Sequence, residues 1–270
     1  MDNIIYRLFS LVWHNLVNSD MSREHVVFIA GLPKSGTTWL EKMLADIPGY
    51  SSYLPPHTSI QDHNLYPDTF TPIRGTRVVV KMHTRGTREN VAILKKHKIK
   101  YCIMYRDLRD VAVSWYFYLK NVAINHPLHE IVATMDVDEG VDYFIDNDNG
   151  SDSLYLYMQW LNMWFNNRYS NNSMLIKYED MLVDTRKEFK NILDFYEINI
   201  SDDVVDTIVE KHRFINSTNR SPGEQDVSSF NRKGIAGDWK NYFSASHVEK
   251  FKNIAGQFLI DTGYEMDTNW

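Results

Sequence analysis

Apolar residues along this chain cluster into short blocks separated by longer stretches of mixed character. Residues 26–30 (VVFIA), 77–83 (RVVVKMH), 101–105 (YCIMY) and 173–177 (SMLIK) are nearly continuous apolar runs rich in β-branched or aromatic residues. Runs of this length predict strands covered on both faces, the habit of parallel sheets. Helical spacing is predicted from Thr37 to near Pro48 and Gly49, and over 89–98, 110–124, 153–169, 185–196, 202–211 and 245–263. Three stretches have no sustained period. Residues 50–76 are rich in Pro, Ser, Thr and Asp, and connections this long tend to be functional. Residues 125–152 are acidic and turn-rich, which predicts a mobile loop with a short helix, and residues 214–230 read as a polar loop. Residues 4–17 are apolar but interrupted by Arg7, His14 and Asn15, and they are shorter than the roughly 20 apolar residues of a bilayer span. The expectation is an amphipathic helix over 1–20 that packs on the body of the protein without stable membrane insertion.

The blocks meet at chemistry-bearing turns. The first run ends in Gly31-Leu32-Pro33-Lys34-Ser35-Gly36-Thr37-Thr38-Trp39. An apolar strand that ends in glycines and feeds a helix presents backbone N–H groups and a helix N-terminus to an anion. Gly31 and Gly36 have the spacing of a nucleoside-triphosphate loop, yet Thr37 stands where that loop needs lysine, and the lysine of the turn is Lys34. The displaced cation argues against an ordinary ATPase or kinase. The second run carries Lys81 and His83 at its carboxyl end, where open α/β sheets bind ligands. The third leads into Arg106, Asp110 and Ser114, a guanidinium and a hydroxyl that the first turns of a helix can aim at one anion. Near the end, Arg232-Lys233-Gly234 offers two cations and a glycine whose backbone can approach an anion closely.

These motifs together resemble sulfotransferases that use 3'-phosphoadenosine 5'-phosphosulfate (PAPS), and they span residues 33–243 in the family order. The segment from Pro33 to Trp39 is similar to the family's 5'-phosphosulfate loop, Arg106 to Ser114 to its 3'-phosphate motif, and Arg232 to Asn241 (RKGIAGDWKN) to its carboxyl-terminal signature. Asp107 and Arg109 depart from the usual Asn and Lys of the second motif. The resemblance implies a single α/β domain over residues 1–270, with a central parallel sheet of four or five strands flanked by helices and related to P-loop nucleotide kinases. It implies PAPS as co-substrate, 3'-phosphoadenosine 5'-phosphate (PAP) as product, and no metal. It places His83 as the base, with Lys34 and Lys81 as catalytic cations. Lys34, Ser35, Gly36, Thr37, Thr38 and Trp39 would hold the 5' side of the nucleotide. Tyr178, in Lys177-Tyr178-Glu179-Asp180, would meet the adenine together with Trp39. Arg106, Ser114, Arg232, Lys233 and Gly234 would receive the 3'-phosphate. Two other functions keep parts of this pattern: a P-loop phosphoryl-transfer enzyme such as a small-molecule kinase, and a PAPS-binding protein without catalysis. The missing lysine at position 37 argues against the first, and His83 against the second.

Charge and cysteine content narrow the setting. A net charge of -6 and a pI of about 5.9 leave no global basic field for nucleic acid, so an anion site must be local. A lone cysteine, Cys102, sits in an apolar run and forms no internal disulfide, which predicts a buried thiol and a reducing, cytoplasmic setting. The acceptor is expected to be a small molecule with a hydroxyl or amine, shaped by 50–76 and 125–152. Thr84-Arg85-Gly86 follows His83 where cytosolic members of the family more often continue with Leu-Pro, so the acceptor pocket is expected to differ. The family's dimer segment survives as Lys240, Ser244, Ala245 and Glu249, with Thr reduced to Ser and Val to Ala. The smaller side chains predict a monomer or a weak homodimer.

Overall fold

The computed structural model describes residues 25–55, 58, 63–70, 76–147 and 152–270. The expected helix over 1–20 lies outside the described residues. In chain order the elements are β1 (His25–Gly31), α1 (Thr37–Ala45), β2 (Ser51–Ser52), β3 (Arg77–Met82), α2 (Arg88–Lys96), β4 (Tyr101–Tyr105), α3 (Leu108–Asn121), α4 (His129–Ala133), α5 (Val137–Asp146), α6 (Leu154–Asn167), β5 (Ser173–Lys177), α7 (Tyr178–Val183), α8 (Thr185–Phe195), α9 (Asp202–Lys211), α10 (Phe214–Thr218) and α11 (Ala245–Asp261).

The five strands form one parallel sheet in the order β2-β3-β1-β4-β5. Four of them are the apolar runs of the sequence, and the fifth is the two-residue edge strand β2, too short to leave a pattern. Period two along each strand divides the core. Phe28, Ala30, Val78, Val80, Tyr101 and Ile103 face one side, where they pack with residues of α3, α5, α6 and α11. Val27, Ile29, Val79, Cys102 and Met104 face the other, against α1, α8 and α9. A sheet covered on both sides excludes water from both sets, which is why its strands read as unbroken apolar runs. Cys102 is fully buried, and burial pushes its thiol up to about 12.

Chain direction decides where the site lies. From β1 the chain runs toward β3 and the β2 edge, whereas from β4 it runs toward β5. Neighbouring strands whose connections leave in opposite directions open a crevice at their carboxyl ends. The turns after β1 and β4 both enter that crevice, which brings the Lys34 segment to the Arg106 segment.

The reading of 125–152 as a loop with a short helix needs correction, because two helices form there. Asp136 caps α5 by accepting from the Glu139 N–H (2.9 Å), and the Glu139 carboxylate accepts from the Asp136 N–H (2.9 Å). Val141, Phe144 and Ile145 bury one stripe of α5 at helical spacing within an otherwise acidic stretch. The stretch read as a polar loop after Arg213 likewise opens with a helical turn, α10.

Candidate active site

The turn between β1 and α1 is shaped from within. The Ser35 hydroxyl donates to the Leu32 carbonyl (2.6 Å), with the Met104 carbonyl 3.1 Å away. Ser35 is fully buried, so its side chain braces the turn rather than facing a ligand. Lys34 and Gly36 both have positive φ, 64° and 85°. Gly36 is the N-cap of α1 and supplies no side-chain cap. A Cβ there would lie 2.6 Å from the Tyr178 ring, so position 36 needs glycine for its backbone angle and for this close approach. The N–H groups of Gly36, Thr37 and Thr38 have no backbone acceptor among the described residues. Three free donors on the positive end of a helix form an anion cradle.

Cations surround this cradle. The Lys34 ammonium lies 3.7 Å from the Tyr118 ring centroid and 4.4 Å from that of Phe230. Burial, then the charges of Arg106, Arg232 and Lys81, lower its pKa to about 7. Lys81 is buried, donates to the Thr38 hydroxyl (3.2 Å) and lies 3.6 Å from the Glu41 carboxylate. Trp39 and Tyr178 meet edge to face with centroids 6.1 Å apart, and the Arg106 guanidinium stands 4.4 Å from the Tyr178 centroid. The Trp39 indole N–H donates to the His212 carbonyl (3.0 Å).

A second group of cations sits where α3 meets the loop before α11. Asp110 accepts from the N–H groups of Gly237 (2.7 Å) and Trp239 (2.9 Å), and its carboxylate lies 3.3 Å from Arg106. Arg106 also donates to the Ile235 carbonyl (2.8 Å). Asp110 therefore fastens the Arg-Lys-Gly loop to the start of α3, a role legible only once the two segments are adjacent. Asp238, almost fully buried, pairs with Arg232 (2.5 Å) and Lys233 (2.8 Å) and sets the direction of both side chains. Arg232 stands over the Phe117 ring at 4.6 Å, and Ser114 lies one turn before Phe117 on the same helix face. The Ser114 hydroxyl makes no hydrogen bond with another described residue, and the Nε atoms of Arg106 and Arg232 are buried without a partner. Buried donors are rarely left unmade, and these two are available to an acceptor from outside the chain. Gly234 has φ 64°, and a Cβ there would strike the Phe214 ring at 2.2 Å.

Arg109 behaves differently from its neighbours. It donates to the Asp107 carboxylate through Nε (3.0 Å) and Nη2 (2.7 Å), and it stacks between Trp239 (4.2 Å) and Trp270 (4.4 Å). Asp107 also caps α3 by accepting from the Arg109 N–H (2.9 Å). The two departures from the motif form one buried ion pair, which Glu265 extends by accepting from Arg109 Nη1 (2.5 Å).

His83 follows β3 and is buried. Its Nδ1 donates to the Gly31 carbonyl (2.6 Å), which leaves Nε2 as the unprotonated nitrogen of the neutral ring. Burial, then the Lys81 and His63 charges, hold its pKa at about 4. The His83 carbonyl accepts from Trp160 Nε1 (3.2 Å) and from His63 Nδ1 (3.1 Å), and the Thr84 carbonyl accepts from Trp164 Nε1 (3.1 Å). Two indoles and a second imidazole thus fix the strand end. Sequence reading missed all three, because no local pattern marks a residue that donates across the fold. Beside the Lys34 turn a cavity of about 550 Å³ is lined by residues from 122–127, from α6, and by Pro33, His63, Arg85, Tyr118 and Asp152. Its walls come from both long segments flagged in the sequence.

A parallel sheet with an anion cradle and two cation groups at its switch point defines a nucleotide-binding α/β enzyme. The sulfotransferase domain model matches residues 24–263, and the chain belongs to the sulfotransferase family. Its curated relatives include sulfotransferase 1E1 of Cavia porcellus, 28% identical over 92% of this chain and 87% of the relative, and sulfotransferase 1E1 of Homo sapiens, 29% identical over 92% and 88%. Among solved structures, mouse sulfotransferase SULT7A1 complexed with PAP shares the fold with a TM-score of 0.69, at 23% identity over 90% of this chain and 88% of that one. The protein is a sulfotransferase enzyme. Among the described residues no helix is long and apolar enough to cross a membrane, and no group of three or more His, Cys, Asp or Glu residues could hold a metal ion.

Proposed function

We propose that the protein transfers the sulfuryl group of PAPS to a hydroxyl or amine of a small molecule, with His83 as the base. The observation that carries this reading is the hydrogen bond from His83 Nδ1 to the Gly31 carbonyl, at the strand end that also opens the anion cradle. It commits Nε2 to accepting a proton, and the Gly31 carbonyl stabilises the imidazolium that results. The cradle suits the 5' side of the nucleotide through the N–H groups of Gly36, Thr37 and Thr38, with Thr38 steadied by Lys81. Arg106, Ser114, Arg232, Lys233 and the Gly234 backbone suit the 3'-phosphate, while Trp39 and Tyr178 suit the adenine.

In the reaction the acceptor oxygen or nitrogen attacks sulfur in line, the new bond forms to sulfur, and the bond from sulfur to the bridging phosphate oxygen breaks. The acceptor proton goes to His83 Nε2. Charge grows on the bridging oxygen, where Lys34 and Lys81 stabilise it. A sulfuryl group carries less negative charge than a phosphoryl group, so few cations suffice. The direct test is incubation with radiolabelled PAPS and a panel of phenols, alcohols and amines. Labelled product together with PAP supports the reading, whereas use of ATP with magnesium in place of PAPS would replace it with phosphoryl transfer.

Lys34 makes the nucleotide step pH-sensitive. Its pKa of about 7 belongs to the nucleotide-free site, and an anion in the cradle raises it. At pH 8 the free protein holds Lys34 mostly neutral, so PAP binding takes up a proton there and progressively less as pH falls below 7. Affinity is full below pH 7 and falls as pH rises above it. Calorimetry in buffers of different ionisation enthalpy measures the uptake. Lys34→Arg, which stays charged, is expected to abolish it, and equal uptake in that variant would remove Lys34 from the cradle.

The dimer segment is exposed at Lys240, Ser244, Ala245 and Glu249. The Ser244 hydroxyl is already engaged as the N-cap of α11, accepting from the His247 N–H (3.3 Å). Such a short patch buries far less than the roughly 1,200 Å² of a stable interface, and it lacks the methyl groups of Val and Thr. Sedimentation velocity at micromolar concentration is expected to show a monomer or a weak dimer. A tight dimer that Glu249→Ala dissociates would show that the charged ends are enough.

A further inference from the structure

The cavity beside the Lys34 turn is apolar along Pro33, Tyr118, Leu156 and Trp160, and it is charged at Arg85 and Asp152. Its volume of about 550 Å³ suits a compact organic molecule. The two charges are not equivalent. Asp152 is already engaged, since it accepts from the Tyr157 hydroxyl (2.6 Å) and lies 3.3 Å from His126 Nε2. The Arg85 side chain makes no hydrogen bond or ion pair with another described residue, although it is half-buried. Its backbone, by contrast, is held tightly. The Arg85 N–H donates to the His63 carbonyl (2.9 Å), and its carbonyl accepts from Asn90 Nδ2 (2.8 Å). The same Asn90 amide donates to the His63 carbonyl (2.8 Å). On the other side, a Cβ at Gly86 would lie 2.5 Å from the Trp164 backbone, so the chain is pressed flat against α6. A guanidinium on a clamped backbone, lining a largely apolar cavity with no paired carboxylate among the described residues, is arranged for one that arrives with a ligand.

We infer that the acceptor carries a carboxylate, received by Arg85, at the end of an apolar body that fills the cavity. This rests on the sulfuryl-transfer reading and deepens it by naming the acceptor's class. The planar fork of arginine matches a carboxylate through two parallel N–H···O bonds, and a fixed anchor lets the distal hydroxyl or amine be aimed rather than only bound. Arg85 is then a residue that sets specificity.

The test uses the full chain saturated with PAP and three matched probes: 3-(4-hydroxyphenyl)propionate, its methyl ester, and tyramine. Binding is read by calorimetry and turnover with PAPS in parallel, on wild type and on Arg85→Ala and Arg85→Lys. The acid is expected to bind roughly 10- to 100-fold more tightly than the ester in wild type. Arg85→Ala is expected to erase that preference, and Arg85→Lys to restore part of it. A wild type that binds the ester or the amine as well as the acid overturns the inference. So does a preference for the acid that survives in Arg85→Ala, or a failure of the acid to bind at millimolar concentration. PAP affinity on the same samples reads the nucleotide side separately. Loss of PAP binding with the acid preference intact would sink the sulfuryl-transfer reading while upholding the Arg85 site.

Discussion

Replacing His83 with alanine is expected to lower sulfuryl transfer by about 10²- to 10⁴-fold while changing PAP affinity only a few-fold. The asymmetry follows from where the ring is tied. Its Nδ1 is spent on the Gly31 carbonyl, and its remaining nitrogen is free to take the acceptor's proton. The strand end stays in place in the variant, because Trp160 and His63 hold the residue's carbonyl rather than its ring. Retention of PAP binding therefore separates a lost base from a damaged fold, and near wild-type turnover would end the assignment. The pKa of about 4 adds a spectroscopic check. An unperturbed histidine is about nine-tenths protonated at pH 5.5. His83 in the nucleotide-free protein is expected to persist there as the neutral Nδ1–H tautomer by NMR. Its sign favours function: a base with a depressed pKa stays in its working form across the neutral range, and loses it only as pH falls toward 4.

The second large effect is on nucleotide choice. PAP is expected to bind at least about 10²-fold more tightly than adenosine 5'-phosphate, which lacks the 3'-phosphate. Charge-assisted hydrogen bonds contribute about 1.5–3 kcal/mol each, so two of them already reach this ratio. The structure also sets a limit on the gain. Arg106 is paired with Asp110, and Arg232 and Lys233 with Asp238, so three cations work against two carboxylates that stay in place. Arg232→Ala is expected to remove most of the difference between the two nucleotides while leaving adenosine 5'-phosphate affinity nearly unchanged. Calorimetry that finds equal affinity for both nucleotides in wild type would overturn the assignment of this cluster to the 3'-phosphate.

Much of this architecture was legible in the chain itself. Strands buried on both faces leave unbroken apolar runs, so four of the five strands were read close to their observed ends, and Tyr101–Tyr105 and Ser173–Lys177 residue for residue. An anion-binding turn needs glycine at fixed backbone angles and cations at fixed spacing, a local pattern, which is why the segment from Lys34 to Trp39, Arg106 and Arg232-Lys233-Gly234 could be marked as candidates from the sequence. Of the two helices between 129 and 146 only one short helix was expected within a mobile loop, because the acidic face of α5 masks the single buried stripe that makes it helical.

What tertiary structure alone decided is how those marked residues are held and which of them are free. Nothing in the sequence says that Asp238 turns Arg232 and Lys233, that Asp110 straps the loop at Gly237 to α3, or that Tyr118 and Phe230 enclose the Lys34 ammonium. Nor does it say that Ser35 braces the turn from inside, or that Arg109 is held by Asp107 and Glu265 while the Arg85 side chain has no polar partner among the described residues. Each of these depends on groups far apart in the chain meeting at a few ångströms. Residue type and spacing determined which chemical groups the protein carries to the crevice, whereas their charge state, direction and availability were settled by long-range packing, to which local sequence is blind.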